Sequence, residues 1–244
     1  MLKSKPFRWS VWILYAILIT YAIVTFIPFI WALSASFKPL AEISAGGSNF
    51  IPKAFTLDNY KQIFLQEPLF GRWLLNSAIV AITVTAFNLL FNSMAGYALA
   101  RIRFPGNRFF FFLILAVLVV PAQITLLPKF LILKSLGWLN SYQGLIVPTI
   151  VNATFIFMMR QFFINFPKEL EEAAQLDGLN RFETFFQIVL PLAKPALAAQ
   201  TIFIFMSSWN EFLLPLVVMS DPEMFTLPIG LNAFKGQYVT FWNY

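Results

Sequence analysis

Five long apolar runs are the feature that most constrains the fold of this chain. The runs cover residues 12–33, 73–98, 109–127, 144–159 and 197–219. A helix that crosses a bilayer needs about 20 mostly apolar residues, because each residue adds about 1.5 Å and the hydrocarbon layer is about 30 Å thick. The predicted fold class is therefore all-α, a polytopic bundle of five transmembrane helices. The fourth run is the shortest and contains Pro148, so we expect neighbouring helices to satisfy the backbone groups that this proline leaves free.

The composition supports an integral membrane protein and excludes most kinds of enzyme. Only 11% of the residues are charged, compared with about 25% in an average soluble domain. The chain contains neither histidine nor cysteine, which excludes imidazole acid–base pairs, thiol nucleophiles and most zinc sites. No GxxxxGK[ST] phosphate loop is present either. We therefore predict a chain that is not an enzyme and that carries no catalytic residue, metal or cofactor of its own.

Basic residues predict the orientation of the spans. They cluster before the first run and between the second and third runs: Lys3, Lys5, Arg8, Arg101, Arg103 and Arg108. Because Lys and Arg concentrate in cytoplasmic loops, both segments are expected on the inner side. This bias also accounts for the formal net charge of +6, so no nucleic-acid partner is expected.

The predicted organisation is a cytoplasmic N-terminus at residues 1–11 followed by a single membrane domain at residues 12–244. Residues 160–195 form the second inner loop in this scheme. Five spans with an inner N-terminus place residues 225–244 outside, and their aromatic ending, FWNY, is typical of the start of a further span. We therefore expect a sixth span that the sequence does not include.

The inner segment 165–195 is predicted to form two short helices joined by a tight turn. It holds five acidic residues: Glu169, Glu171, Glu172, Asp177 and Glu183. Pro167 suits the first helical position, and early glutamates complement the positive end of the helix dipole. Gly178 can adopt the left-handed conformation that ends a helix. Asn180 and Glu183 have the spacing of a capping box at the start of the second helix.

Both predicted helices have features of a docking site. The second helix carries an apolar stripe formed by Phe182, Phe185, Phe186 and Val189. Pro191 is expected to end this helix. On the first helix, the small Ala173 and Ala174 would let another surface approach the backbone closely. A loop lying on lipid headgroups would instead prefer basic residues on its polar face, so the acidic character favours a protein partner.

The run EAAQLDGLNRFETFFQIVLPLAKP resembles the EAA loop of binding-protein-dependent ABC importer permeases. The matching positions are Glu172, Ala173, Ala174, Asp177, Gly178, Phe185, Pro191 and Pro195. In that family the loop is the coupling element seated in a cleft of the ATP-hydrolysing subunit. The resemblance thus implies that these residues couple the chain to an ATPase subunit, and we add Phe182 of the apolar stripe to the predicted contact.

Other motifs resemble the carbohydrate-type permeases of this family, specifically the partner similar to the maltose-system G subunit. They are FKP near Phe37, LDNY at 57–60, LLNSAIVA at 74–81, AGYALAR at 95–101, LGWLNSYQGLIVP at 136–148 and SWNEFLLPL at 208–216. The resemblance implies a type I ABC importer permease with six spans in the bacterial plasma (inner) membrane, embedded in lipid. It implies a carbohydrate substrate, a second homologous permease subunit, an extracytoplasmic solute-binding protein, and two ATP-binding subunits that hold ATP and Mg²⁺.

The fifth run contains an acidic residue at membrane depth, Glu211, preceded by Trp209 and Asn210. A charge there costs at least about 2.5 kcal/mol on insertion scales, so it should face protein or a watery cavity. One interpretation is that the three residues line the translocation path. The other is that Glu211 and Asn210 tie this helix to a neighbour. The remaining intramembrane polar residues are predicted to make helix-packing hydrogen bonds: Asn76, Ser77, Asn88, Asn92 and Asn152.

Two other functions are compatible with a helical membrane bundle. A secondary transporter or channel driven by an ion gradient would use Glu211 as its ion or proton site, but the acidic loop would then have no evident task. A membrane scaffold without transport would leave the polar residues of the fifth run unexplained. The importer permease accounts for both features and is the leading hypothesis.

Overall fold

The computed structural model describes residues 9–44 and 49–232, so Lys3, Lys5, Arg8 and the aromatic ending at 241–244 lie outside the described residues. The α-helices in these ranges are, in chain order, α1 (Trp9–Ser36), α2 (Leu40–Ser44), α3 (Asp58–Gln66), α4 (Phe70–Arg101), α5 (Asn107–Val119), α6 (Leu126–Ser135), α7 (Tyr142–Ile146), α8 (Ala153–Ile164), α9 (Lys168–Leu176), α10 (Arg181–Thr184), α11 (Leu190–Leu192), α12 (Lys194–Trp209), α13 (Leu213–Val218) and α14 (Leu227–Asn232). The described residues form two compact units, one within residues 9–68 and the other within residues 69–232.

Helix α1 is the long apolar helix of the first unit. Its segment Val11–Ser36 has 26 residues with a mean hydropathy of 2.4, enough to cross a membrane. The side chains from 11 to 33 are all exposed, which suits a helix whose surroundings are lipid or other chains. The predicted span at 12–33 is confirmed.

The FKP motif near Phe37 and the LDNY motif at 57–60 lie together just after α1. The ring of Phe37 stacks on Phe55, with 5.0 Å between the centroids. The side-chain amide of Asn59 donates to the backbone oxygens of Ser36 and Lys38, each at 2.8 Å. Asn59 of the LDNY motif therefore satisfies the carbonyl groups that the end of α1 and the FKP turn leave free.

The second unit contains three more helical stretches long and apolar enough to cross a membrane. They are Phe70–Arg101, Tyr142–Ile164 and Lys194–Val218. They confirm the predicted spans at 73–98, 144–159 and 197–219. The first is the single helix α4, whereas the other two are interrupted, between α7 and α8 and between α12 and α13.

The predicted span at 109–127 is wrong in length. Helix α5 has 13 residues, which corresponds to about 20 Å of helix. The chain leaves the helix at Val120, where ψ is 118°, and the next residue is Pro121. Proline disfavours the helical conformation of the preceding residue, so this apolar run ends as a helix well before residue 127.

Asparagine side chains of α4 satisfy the backbone at the interruption between α7 and α8. The Asn88 amide donates to the backbone oxygen of Thr149 at 2.8 Å. The Asn92 side-chain oxygen accepts from the backbone N–H of Asn152 at 3.1 Å. These bonds confirm that a neighbouring helix provides partners for backbone groups next to Pro148.

The N-terminal end of α4 is fixed in the same way to the segment after α13. The Asn76 amide donates to the backbone oxygens of Glu223 and Phe225 at 2.8 and 2.9 Å. The Ser77 hydroxyl accepts from the backbone N–H of Leu227 at 2.7 Å. The Asn76 side-chain oxygen also accepts from the Tyr142 hydroxyl at 2.6 Å. The predicted packing role of these polar residues is confirmed, and their partners are mostly backbone groups.

At Gly96, α4 and α8 approach each other closely. A Cβ atom at Gly96 would lie 2.7 Å from the Cβ of Met159 and 2.9 Å from the backbone nitrogen of Arg160. Neither neighbour is the end of a flexible side chain, so any larger residue would push the helices apart. At Gly71, also on α4, nothing lies within 4 Å of the same position.

We expect Gly96→Ala to lower the melting temperature of the purified protein in detergent, because overpacking costs about 1–3 kcal/mol. Gly71→Ala is the matched control. It should leave the melting temperature unchanged or raise it, since alanine favours a helix by about 1 kcal/mol over glycine. Equal melting temperatures for the two variants would contradict the close approach at Gly96.

Candidate functional site

The acidic segment 165–195 folds into the predicted helix, turn and helix. Helix α9 begins directly after Pro167, which occupies the cap position rather than the first helical position. At the other end, Gly178 has a φ of +85°. Its N–H donates to the oxygen of Gln175 at 3.1 Å, and the N–H of Leu179 donates to the oxygen of Ala174 at 3.0 Å. This is a Schellman motif, which confirms the glycine stop.

The capping box of the second helix is confirmed. The side-chain oxygen of Asn180 accepts from the backbone N–H groups of Phe182 and Glu183 at 2.9 and 3.0 Å. The Glu183 carboxylate accepts from the backbone N–H of Asn180 at 2.7 Å. Three hydrogen bonds thus fix the start of α10 to the turn, which holds the two short helices in one geometry.

The predicted apolar stripe is split between two faces. Phe185 and Val189 are buried, with 3% and 0% exposure. Phe182 and Phe186 are 67% and 43% exposed. Residues 185–189 form a π-helical turn, which departs from the α-helical repeat on which the predicted stripe was based. The single stripe is therefore wrong, because it assumed α-helical winding throughout.

Pro191 does not end the second helix. Helix α11 includes it at one of its first two positions, where a missing N–H costs no helical hydrogen bond. The helical path continues to Leu192. The π-helical turn before it changes the hydrogen-bond partners, so the proline acts as a helix start rather than a stop.

An aromatic cluster anchors the segment to the membrane helices. The ring of Tyr97 on α4 lies 5.7 Å from Phe163 on α8 and 5.1 Å from Phe185, centroid to centroid. Both phenylalanines and Val189 are among the buried residues of this core. Edge and tilted ring contacts of this kind stabilise packing beyond the area they bury, so the second helix is held firmly under α4 and α8.

A buried ion pair makes a second attachment. The Arg101 Nε lies 2.7 Å from a carboxylate oxygen of Glu171, and the two side chains are 6% and 11% exposed. Arg101 ends α4 and Glu171 lies on α9. The sequence interpretation used Arg101 only for orientation and did not predict this pair. The available signal was opposite charge on two loops assigned to the same side of the membrane.

The outward face of the segment stays exposed. We call it the loop tip, and it consists of Glu172, Ala173, Leu176, Asp177, Gly178 and Phe182. Leu176 and Phe182 are 89% and 67% exposed, which for large apolar side chains is typical of an interaction surface. Of the other predicted coupling residues, Ala174 and Phe185 are 3% exposed and therefore anchor the loop, while Pro191 is exposed outside the tip.

A cavity of about 680 Å³ lies between the interrupted spans. Its polar lining residues include Asn88, Thr125, Lys129, Thr149, Asn152, Thr154, Ser207, Ser208, Glu211 and Thr226. Within residues 9–44 and 49–232, no group of three or more His, Cys, Asp or Glu side chains is placed to hold a metal ion. The cavity offers a solute hydrogen bonds and two charged groups among apolar walls.

Of the three residues predicted for the translocation path, only Glu211 lines this cavity. The Trp209 ring stacks on Phe205 at 5.6 Å. The Asn210 amide donates to the backbone oxygen of Met206 at 2.7 Å, so it closes its own helix instead of contacting a neighbour. The structure does not bring the three side chains together around one space.

Glu211 also caps a helix. Its Oε1 atom accepts from the backbone N–H groups of Leu213 and Leu214 at 3.1 and 3.2 Å, where α13 begins. Neither sequence interpretation anticipated this, because both assumed one continuous helix from 197 to 219. A carboxylate two residues before a helix start was the local signal.

Comparison with known families gives one match that covers more than half of the chain. The family described as "Binding-protein-dependent transport system inner membrane component" matches residues 92–239. The matched range includes the loop tip and Glu211.

Two curated relatives extend the similarity over nearly the whole chain. The arabinooligosaccharides transport system permease protein AraQ of Halalkalibacterium halodurans is 42% identical over 225 residues, which is 90% of this chain and 81% of the relative. The sn-glycerol-3-phosphate transport system permease protein UgpE of Escherichia coli O1:K1 is 31% identical over 250 aligned residues, which is 100% of this chain and 88% of the relative.

A solved structure shows the same architecture. It is described as the crystal structure of a bacterial ABC transporter involved in the import of the acidic polysaccharide alginate. The matching chain is 27% identical with a TM-score of 0.84, and the alignment covers 98% of this chain and 85% of that chain. The similarity supports the predicted helical fold.

We expect Glu171→Gln to loosen the loop, because it leaves the Arg101 guanidinium buried without its counter-ion. Removing one partner of a buried pair costs about 3 kcal/mol or more, which is about a hundredfold in a local opening equilibrium. Hydrogen–deuterium exchange of the α9 amides measures this opening. Glu169→Gln, an exposed position on the same helix, is the control and should leave exchange unchanged.

We expect Glu211→Ala to lower the melting temperature in detergent more than Glu211→Gln. The alanine variant loses the cap of α13, worth about 1 kcal/mol, whereas the glutamine side chain keeps an oxygen that accepts from Leu213 and Leu214. If the two variants melt at the same temperature, the capping role is wrong.

Proposed function

Because the chain belongs to the family of binding-protein-dependent transport system inner membrane components, we propose that it is the permease subunit of an ATP-driven importer and that the loop tip docks onto an ATPase subunit. It is a multi-pass membrane protein and not an enzyme. In this proposal the N-terminus is cytoplasmic, and a second homologous permease subunit completes the path. Two ATP-binding subunits hold ATP and Mg²⁺, and an extracytoplasmic solute-binding protein delivers the substrate.

The observation that carries this proposal is the contrast between the two faces of the acidic segment. One face is fixed by the ion pair between Arg101 and Glu171 and by the Tyr97 cluster. The other face exposes Leu176 and Phe182. A surface held rigidly from behind and apolar in front is what a docking partner needs, because little ordering entropy is lost on binding.

The attachments also explain how movement would be transmitted. Closure of the ATPase pair on ATP would displace the loop tip, and the displacement would pass to α4 through Arg101 and Tyr97. Helix α4 carries Asn88, which lines the cavity. The segment 165–195 would therefore act as a lever between ATP hydrolysis and the opening of the cavity to either side of the membrane.

Carbohydrate is the solute class that the similarities support. The relatives are named for arabinooligosaccharides and for sn-glycerol-3-phosphate, and the solved transporter is described as importing alginate. The cavity has hydroxyl and amide side chains that can exchange hydrogen bonds with sugar hydroxyls. We propose a sugar, polyol or glycoside as substrate.

We expect Ala173→Arg to abolish solute uptake while ATP hydrolysis no longer responds to the solute-binding protein. Ala173 is exposed on the loop tip, so arginine should be accommodated in the folded subunit but should prevent close docking of the ATPase. The measurement is ATP-dependent uptake into proteoliposomes that contain the complete importer.

The matched control is Gln175→Arg, which adds the same side chain to an exposed position of α9. Position 175 lies about 160° around the helix from position 173, since successive residues are about 100° apart. Uptake should persist in this control. Full uptake by the Ala173→Arg importer, or uptake by the wild-type importer without ATP, would reject the coupling role.

A further inference from the structure

The cavity is lined by one basic residue, Lys129, and one acidic residue, Glu211. Of these two side chains, only that of Glu211 has a hydrogen-bond partner among the described residues. Lys129, on α6, is half-buried and lines the cavity. Its side chain makes no hydrogen bond or ion pair with any residue in 9–44 or 49–232, whereas Arg101 and Lys61 both have carboxylate partners. A charged side chain without a counter-ion at a cavity wall can attract a solute of opposite charge.

Glu211 does not neutralise Lys129. One oxygen of its carboxylate accepts the two N–H groups at the start of α13, so part of its charge is already stabilised by backbone dipoles. No ion pair between the two side chains is present in the described part of the chain, although both line the same cavity. The ammonium of Lys129 is therefore the charge in this cavity that lacks a protein partner.

We propose that Lys129 makes this cavity select solutes that combine hydroxyl groups with an anionic group, meaning sugar acids or sugar esters of phosphate or sulfonate. The inference rests on the proposed transport function and adds the charge of the substrate. Lys129 would pair with the anionic group, while Ser207 and Ser208 would exchange hydrogen bonds with hydroxyls. The Glu211 oxygen not engaged with α13 would accept from a further hydroxyl.

The natural absence of cysteine from the chain permits a direct test. Ser208→Cys places a single thiol on this chain in the cavity lining, and mass spectrometry of the chain reports its modification in the complete importer in lipid nanodiscs. The rates are compared for an anionic and a cationic methanethiosulfonate reagent of similar size. Lys129→Met should lower the ratio of the anionic to the cationic rate by about fivefold, because the local positive potential is lost.

Lys134→Met is the control, because Lys134 lies on the same helix but does not line the cavity. It should leave the ratio unchanged. An unchanged ratio in the Lys129 variant, or an equal fall in both variants, would overturn the proposal and would indicate that the Lys129 side chain extends to bulk water. A cavity in which the Ser208→Cys thiol does not react would overturn it as well.

Protection by sugars identifies the ligand class. Galacturonate and galactose phosphate should each slow modification of the Ser208→Cys thiol more than galactose does at the same concentration. Comparing the effects of the two acids shows whether the cavity prefers a carboxylate or a phosphate. Equal effects of the three sugars, including no effect, would reject anion selection and leave ATP-dependent uptake intact. Uptake without ATP by an importer that keeps the preference would instead reject the proposed coupling.

Discussion

The structure of the second unit depends on side-chain amides that bind backbone groups inside the membrane domain. Hydrocarbon offers no hydrogen-bond partner, so a helix can be interrupted at membrane depth only where another part of the protein provides one. Helix α4 provides it through Asn88 and Asn92, which bind the backbone near the break before α8. Without these contacts, the proline-containing interruption would expose unsatisfied carbonyl and N–H groups, and the polar cavity beside it would be lost.

The same helix connects the cavity to the acidic segment 165–195. Asn88 lines the cavity, and about three turns further along α4, Tyr97 and Arg101 hold the acidic segment through ring contacts and an ion pair. Gly96, between these two regions, lets the backbone of α8 pack closely against α4. The cavity and the acidic segment are therefore joined by a single helix, which is the physical basis for the proposal that the segment acts as a lever.

Local sequence signals predicted the parts of the fold that depend on neighbours in the chain. The glycine stop at Gly178 and the capping box at Asn180 follow from residue type and spacing, and the structure has both. The four confirmed spans follow from apolar length alone. The span predicted over the third run, at 109–127, is wrong because Pro121 limits α5 to 13 residues. Average hydropathy does not register this effect of proline.

The features that escaped prediction are set by tertiary contacts. The π-helical turn at 185–189 and the burial of Phe185 and Val189 without Phe182 and Phe186 depend on packing against α4 and α8, which the spacing of apolar residues does not reveal. The pair of Arg101 and Glu171 joins residues 70 positions apart. Glu211 was recognised as unusual, but its capping role requires knowing that the fifth span is broken.

The contacts at the N-terminal end of α4 impose an order on biogenesis. Asn76 and Ser77 are made early, yet the backbone groups that satisfy them lie 147 to 150 residues later in the chain. Helix α4 must therefore enter the bilayer with these polar groups facing water, lipid headgroups or the insertion machinery, and it reaches its final environment only after the segment following α13 has been synthesised. Until then, the nascent subunit presents a polar stripe within an apolar span, a form that membrane chaperones and proteases can distinguish from the finished bundle.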